Sequence, residues 1–378
     1  MLKRITLENF KSFKNKTVID MESTNYQILE NRNVSNNKLL KGAIFVGGNA
    51  TGKTNIILSL KVLLNLLFRE KEIPLFTYKC LFSKEDIIKL QYDFVIEGHE
   101  IEYLVEYDVL NKMLIEKLYV DKKLMLDRLG NNAKNELSEN RVFTDLDNST
   151  LLIRTIYFNT KFYGNNIMQK WLKFLSDSVY IDASSRMMLK TNSALEIDNY
   201  LKNNGAQQIN DFFEKNQFHY TIEYTDRSKG NLIEIGTDGE KKVFFKRKNI
   251  GEPIPMGMES LGNINLINML PAFFHVINNG GMLIIDEFSS AFHNELEELL
   301  IKHFMLNSKD SQIFIVSHST NLLSNTIFRP DQEYAVDFIG NKGSVVNRFS
   351  KEKPRAAQNI EKMYNSGCFG GKPVYVNE

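Results

Sequence analysis

The sequence predicts an α/β fold of the P-loop NTPase class, with a mixed sheet and an inserted β lobe and helical lobe. Three observations predict it. GGNATGKT at Gly47–Thr54 fits G-x-x-x-x-G-K-[ST] through Gly47, Gly52, Lys53 and Thr54. The flanks suit that motif, because AIFV (Ala43–Val46) reads as a buried strand and NIILSLKVLLNLLF (Asn55–Phe68) as a helix. Far downstream, MLIIDEF (Met282–Phe288) is an apolar run that ends in two acids.

Each piece has a chemical reason. Glycines let the loop formed by Gly47, Gly48, Asn49, Ala50, Thr51, Gly52, Lys53, Thr54 and Asn55 wrap, so that backbone N–H groups face phosphate oxygens. Lys53 supplies charge to the outer phosphates, and Thr54 offers a hydroxyl to Mg²⁺. Asp286 ends its strand where it can hold the metal shell, and Glu287 follows where a carboxylate can polarise an attacking water. The two motifs together predict an ATP site. The competing reading is a chance glycine turn and an ordinary acidic strand end.

Composition sets wider bounds. A chain of 378 residues, 43% of them hydrophobic, can bury a large core, and its length suits two to three domains or one large domain with an insertion. The motif spacing favours the insertion: residues 1–75 as the N-terminal half of the ATPase core, 76–255 as an inserted β lobe and helical region, and 256–378 as the C-terminal half. Lys and Arg number 47 against 46 Asp and Glu, a net charge of +1, so nothing global commits the chain to nucleic acid or membrane. Cys80 and Cys368 lack disulfide-framework and metal-ligand spacing, and MLKRITLENF has no apolar signal core, so a reducing cytoplasm is expected. The longest apolar stretch, Ile56–Phe68, is broken by Lys61 and Asn65 and is too short to span a bilayer. Leu58–Leu67 is read as core packing rather than a dimer seam.

Along the chain, LKRITLENFKSFKNKTVIDM alternates apolar and polar residues and predicts two strands joined near Phe10–Asn15. Asn31–Lys41 is polar and reads as an exposed loop. Leu90–Leu126 has the spacing of an antiparallel meander, and Asn131–Asp211 turns helical and polar, with Trp171–Val179 and Ala194–Phe213 as helices. Strands follow at His219–Tyr224 and Asn231–Lys246. KKVFFKRK (Lys241–Lys248) places five basic residues around two phenylalanines. On a strand, Lys242, Phe244 and Lys246 share one face and Lys241, Val243, Phe245 and Arg247 the other. That segment suits a nucleic-acid or partner contact, or more plainly an amphipathic strand with a solvated edge.

Two further features surround the acidic motif. Ser260-Leu261-Gly262 opens a helix whose N-terminal amides and dipole can meet anionic oxygen, although a plain N-cap serine would look the same. QIFIVSH (Gln312–His318) is an apolar strand ending in His318, where an imidazole can contact a γ-phosphate or orient water, unless it is an ordinary surface histidine.

The order of these motifs resembles the ABC-type ATPases and, within them, the RecF, SMC and OLD branch. ENFKSF (Glu8–Phe13) resembles that branch's N-terminal strand motif, Ser260-x-Gly262 its signature, Ser290–His293 its D-loop and His318 its switch histidine. The resemblance implies an ABC-type head that binds Mg²⁺-ATP, with Lys11 and Ser12 joining the nucleotide site. It also implies a head-to-head dimer or higher oligomer in which Ser260 and Gly262 act across the interface, with Glu287 as catalytic base. More narrowly, HSTNLL (His318–Leu323) and PRAAQNIEKMYNSGCFGGKPVYVN (Pro354–Asn377) are similar to the RloA/AbiL-type AAA family ATPases of bacterial phage-defence operons, a group that includes the ATPase subunit of the PARIS system. Such ATPases work with an operon-encoded effector nuclease or toxin. SLGN in place of SGGQ, and His293 in place of an acid, argue against a transporter. Gln91 is the one candidate for a Q-loop glutamine. No CxxC zinc hook and no nuclease constellation stand out.

The expected function is therefore a slow, dimerisation-dependent ATPase that senses phage activity and controls a partner toxin or nuclease. A RecF-like repair ATPase that clamps DNA is the alternative, and a nucleotide-gated scaffold that does not hydrolyse is the third reading.

Overall fold

The computed structural model describes residues 1–69, 74–137, 141–185, 195–290 and 292–372, and the backbone of 187–189. The chain divides into two compact units: Met1–Thr191 with Val276–Ser290 and Asn294–Glu378, and Asn192–His275 with Ala291–His293.

The first unit holds two large sheets. One has seven strands in the order Met187–Leu189, Val179–Asp182, Gly281–Asp286, Ser311–Val316, Gly42–Val46, Glu333–Phe338 and Ser344–Arg348. Its inner five strands run parallel and the two outer strands antiparallel, so the sheet is mixed. Every residue of the three strands at 42–46, 281–286 and 311–316 is buried, as required when both faces of a parallel sheet are covered. The helix Lys53–Phe68 lies against this sheet and buries Ile56, Leu60, Leu63 and Leu67.

One strand of this sheet departs from the sequence reading. The expected helix Trp171–Val179 is instead Asn166–Ser176, and Val179–Asp182 is a strand parallel to Gly281–Asp286, with Asp182 opposite Asp286. The β-branched and aromatic run V-Y-I suits a doubly buried strand. The Ser178 hydroxyl fixes the register by accepting the Met282 N–H at 2.9 Å.

The other sheet is an eight-stranded antiparallel meander in the order Thr17–Asp20, Leu2–Glu8, Ile87–Ile96, His99–Asp108, Met113–Val120, Lys123–Leu129, Asn132–Asn135 and Arg141–Phe143. The predicted meander is present, but it runs on past Leu126 into the segment read as helical, and it is continuous with the N-terminal hairpin through Ile5 opposite Tyr92. Its buried face meets the helices Leu152–Thr160 and Asn166–Ser176, where the Trp171 indole packs edge-on to Phe94 and Tyr103. Glu116 is fully buried there. It accepts from Tyr103 Oη at 2.8 Å and from the amides of Leu152 and Ile153 at 2.7 and 3.0 Å, which caps the start of one helix.

Asn31–Lys41 is not a plain exposed loop. A short helical turn spans Glu30–Asn33, and Asn33 is buried with its amide donating to Ile327 O and Gln332 Oε1 at 2.9 and 2.6 Å. Lys41 is buried with Nζ on Ser308 O at 2.6 Å. Asn33 and Lys41 are thus satisfied internally, while Asn31, Asn36, Asn37 and Lys38 stay exposed.

In the second unit the single expected helix Ala194–Phe213 is two, Ile197–Asn204 and Gln207–Lys215, interrupted at Gly205; Ala194 lies outside the described residues. A three-stranded sheet joins Tyr220–Thr225, Lys242–Arg247 and Pro253–Pro255, and a hairpin joins Arg227–Lys229 with Glu234–Gly236. The rings of Phe213, Phe218, Tyr220 and Phe245 pack in a tilted, edge-on series, with Phe245 against Tyr220. The expected two-faced alternation of Lys241–Lys248 does not hold, because Val243, Phe244 and Phe245 are all buried. Three of its five basic residues are paired: Lys246 with Glu223 at 2.7 Å, Arg247 with Glu259 at 2.8 Å and Lys242 with Glu240 at 3.6 Å. Among the described residues, no helix is long and apolar enough to cross a membrane.

Candidate nucleotide site

The loop Gly47–Gly52 joins the buried strand Gly42–Val46 to the helix Lys53–Phe68 at the carboxyl edge of the parallel strands. Gly52 takes the helix N-cap position at φ +105°, where a Cβ would overlap the hydroxyls of Ser344 and Ser12. The Ser344 hydroxyl lies 2.6 Å from both Thr51 O and Ser12 Oγ, and Ser12 Oγ accepts from Asn55 Nδ2 at 2.8 Å. Ser12 thus braces the back of the loop. Lys11 sits beside it at φ +52° with Nζ on Thr77 O at 3.0 Å and over the Tyr78 ring at 4.9 Å.

Lys53 is 5% exposed and donates Nζ to Gly47 O at 3.0 Å and Gly48 O at 2.6 Å. Burial pulls its ammonium down to about 8, against the pull of Asp286 and Glu287. Thr54 Oγ1 donates to Asp286 Oδ1 at 3.1 Å, and the Tyr180 hydroxyl donates to Oδ2 at 3.3 Å. The Glu287 amide also donates to Oδ1, at 3.1 Å. Burial, with Asp182 and Glu287 adding, pushes the Asp286 carboxyl up. Two hard oxygens held together, one of them anionic, suit Mg²⁺, which takes few protein ligands alongside phosphates and water. Among the described residues no set of three or more His, Cys, Asp or Glu could hold a metal by itself.

Glu287 adopts a left-handed backbone at φ +51°, with its carbonyl accepting from Ser290 N at 2.9 Å and Ser290 Oγ at 2.8 Å. A non-glycine residue held in that region directs its side chain away from the strand's own course. The His318 amide donates to Ser289 Oγ at 3.2 Å, joining the loop after Glu287 to the end of the next strand. Desolvation and then the Lys53 ammonium lower the His318 imidazole, while Glu287 raises it. Lys53, Glu287 and His318 therefore share one electrostatic neighbourhood.

Ser260 and Gly262 belong to the second unit. Ser260 Oγ accepts the Asn263 amide at 3.3 Å at the start of the helix Leu261–Asn279, so the hydroxyl serves as an N-cap. Ser260 is exposed, and a Cβ at Gly262 would meet nothing within 4 Å. In Ser290–His293, the segment that resembles a D-loop, Ala291 lies outside the described residues. Gln91 is interior to a strand of the antiparallel sheet, between Thr6 and Leu104, with its amide on Asp93 at 2.9 Å. That is a strand position, not a loop.

Three residues escaped the sequence reading. Tyr180 lies just past the expected helix Trp171–Val179 and was given no role, although V-Y-I-D carries the strand signal that places its hydroxyl on Asp286. Ser344 and Gly371 had no local signal. Gly371 O accepts the Gly48 amide at 3.0 Å.

A family model described as "AAA domain, putative AbiEii toxin, Type IV TA system" matches residues 43–324. No curated protein matches the chain. Solved structures do. The SMC head domain from Thermotoga maritima superposes with a TM-score of 0.51 at 14% identity, covering 91% of this chain and 97% of that one. An SMC head bound to the C-winged helix domain of ScpA gives 0.51 at 13% identity, covering 93% and 99%. Identities this low establish the fold, which is that of an ABC-type SMC head. The chain belongs to the AAA-domain family of that description, and its P-loop and acidic strand end are set in an SMC-head fold.

Proposed function

We propose that this protein is an Mg²⁺-dependent ATPase that acts as the sensor or switch subunit of an anti-phage defence system, controlling a partner toxin or nuclease. The observation that carries the ATPase reading is Lys53 held on the P-loop carbonyls of Gly47 and Gly48 beside the Thr54–Asp286 hydrogen bond, with Glu287 next in the chain. Lys53 leaves two loop carbonyls to meet phosphate, and the P-loop amides share that charge. Thr54 and Asp286 hold Mg²⁺, which when bound neutralises charge on the phosphate oxygens. Glu287 orients a water and takes its proton as the new bond to the γ-phosphorus forms and the bond to the β–γ bridging oxygen breaks. His318 lies where a lowered pKa keeps the imidazole neutral and able to accept or donate a hydrogen bond.

Ser260 and Gly262 complete the site from a second copy. The exposure of Ser260, with open space at Gly262, supports presentation to a partner head. The switch role draws on the family description, which names a type IV toxin–antitoxin context.

The test has two parts. Mg²⁺-ATP binding and phosphate release are measured on the wild type and on Lys53→Ala, which should lose at least about tenfold in affinity because a buried charge partner of the phosphates is gone. Purification with the neighbouring genes intact, with and without ATP, should then recover a stoichiometric toxin or nuclease. Wild-type protein that neither binds nor hydrolyses ATP rejects the ATPase. A lone dimer carrying DNA and repair factors replaces the defence role with a DNA clamp.

A further inference from the structure

The terminal motif after Pro354 is not used by the proposed chemistry, yet its described part touches the site at two points. Gly371 O accepts the Gly48 amide at 3.0 Å, so one P-loop N–H is committed to the C-terminal segment rather than turned toward phosphate. Gly371 can approach so closely only as glycine. At φ +70° its Cβ would stand 3.1 Å from both Ala335 Cβ and Val336 O, on the strand that flanks the P-loop strand. The same carbonyl accepts from the Tyr364 hydroxyl at 3.1 Å. Tyr364 is fixed in turn: its ring stacks on Phe349, which also stacks on Phe369 at 3.9 Å.

The other end of the helix Ile360–Asn365 meets the turn that follows His318. Glu361 Oε1 accepts from Thr320 Oγ1 at 2.8 Å, and Thr320 begins the turn that follows His318. Asn325 Nδ2 also donates to Ala356 O and Gln358 O at 2.9 and 3.1 Å, so the approach to this helix is held to the same loop. A continuous series of bonded groups therefore runs from Thr320 through Glu361, Tyr364 and Gly371 to Gly48.

From this geometry we infer that residues 360–371 form a tie that holds the P-loop in its binding shape and links that shape to the loop carrying His318. Gly371, Tyr364 and Glu361 are positioning residues acting through Gly48 and Thr320; none of them is placed on nucleotide. The inference deepens the ATPase reading and rests on it for its effect on ATP, but the tie itself exists without nucleotide. A ligand that shifts the P-loop at Gly48 would thus be felt at Thr320, and the reverse must hold to the same extent.

The test uses the full chain with Tyr364→Phe, which keeps the ring and removes the hydroxyl, Thr320→Val, which cuts the opposite end, and the double variant. Two quantities are read: affinity for a fluorescent ATP analogue in the presence of Mg²⁺, and amide hydrogen exchange of peptides spanning Gly47–Thr54 without nucleotide. Each single variant should weaken affinity about three- to tenfold, the usual worth of one hydrogen bond, with little change in melting temperature. Exchange in the P-loop should quicken in both, including Thr320→Val, whose substitution is remote from the loop. The double variant should be no weaker than the weaker single one, because a tie cut at one end gains nothing from a second cut. Multiplicative losses, or P-loop exchange unchanged in Thr320→Val, would overturn the tie. Failure of the wild type to bind ATP would instead reject the ATPase reading, and the exchange measurement would still decide the tie.

Discussion

The two sheets of the first unit differ in what they leave available for chemistry. In the seven-stranded sheet, the strands 42–46, 281–286 and 311–316 are buried on both faces and mostly apolar, with Ser311 and Gln312 enclosed at the start of one and the acids gathered at the carboxyl end of another. Asp286, Glu287, His318 and the P-loop all sit at such ends. In the antiparallel sheet, Ile87–Ile96 alternates buried and half-buried residues along its whole length. Its charged groups, such as Glu102 and Lys89, are spread over a solvated face. Desolvation acts at both sheets, on Asp286 and Lys53 at the first and on the enclosed Glu116 in the second, but only the first gathers its charged groups at one edge beside the P-loop.

The sharpest break of this contrast is at the strand end. Glu287→Gln should lower hydrolysis by at least about 100-fold with ATP affinity retained, because the base is lost and the phosphate contacts are not. Glu102→Gln on the antiparallel sheet should leave both unchanged, and steady-state phosphate release with equilibrium binding reads both. A comparable loss from Glu102→Gln would dissolve the distinction. Next comes packing. Phe314→Ala, at a fully buried position, should cost about 3–5 kcal/mol, against less than about 0.5 for Lys89→Ala. Chemical unfolding of the two variants measures the difference.

Lys53 supplies a pH test. Its ammonium is lowered to about 8 in the free protein, and bound phosphate must raise it, so the charged form binds better. ATP affinity should be flat below pH 8 and fall by up to about tenfold per unit above it. A flat profile from pH 7 to 10 would remove Lys53 as a titrating phosphate ligand. The smallest effect expected is at Tyr180. Tyr180→Phe frees Oδ2 of Asp286 and should raise the Mg²⁺ concentration needed for half-maximal binding of labelled ATP about threefold, leaving metal-free binding alone. An unchanged Mg²⁺ requirement would reduce the hydroxyl to a packing group.

Much of the fold was legible because its signals are local. Strand, glycine turn and helix follow one another between Gly42 and Phe68, and alternation marks the meander from Ile87 onward. Readings failed where burial is not periodic. The helix expected over Trp171–Val179 takes in the first residue of V-Y-I-D, whose strand character is decided only by its pairing with Gly281–Asp286. KKVFFKRK reads as two-sided until Val243, Phe244 and Phe245 are all enclosed. Asn31–Lys41 reads as solvated until Asn33 finds Gln332 and Ile327.

The sequence by itself determined the place and order of the glycine-rich P-loop motif, the acidic strand end and the strand that stops at His318, since each depends on residue type and short spacing. Tertiary structure alone decided which groups brace them. Tyr180 on Asp286, Ser344 behind Thr51 and Gly371 on Gly48 join residues far apart in the chain, and no local pattern records such a pairing. The physical reason is that a buried hydrogen-bonding group is satisfied by whatever the fold brings near it, and proximity in space is set by strand order rather than by neighbours in sequence.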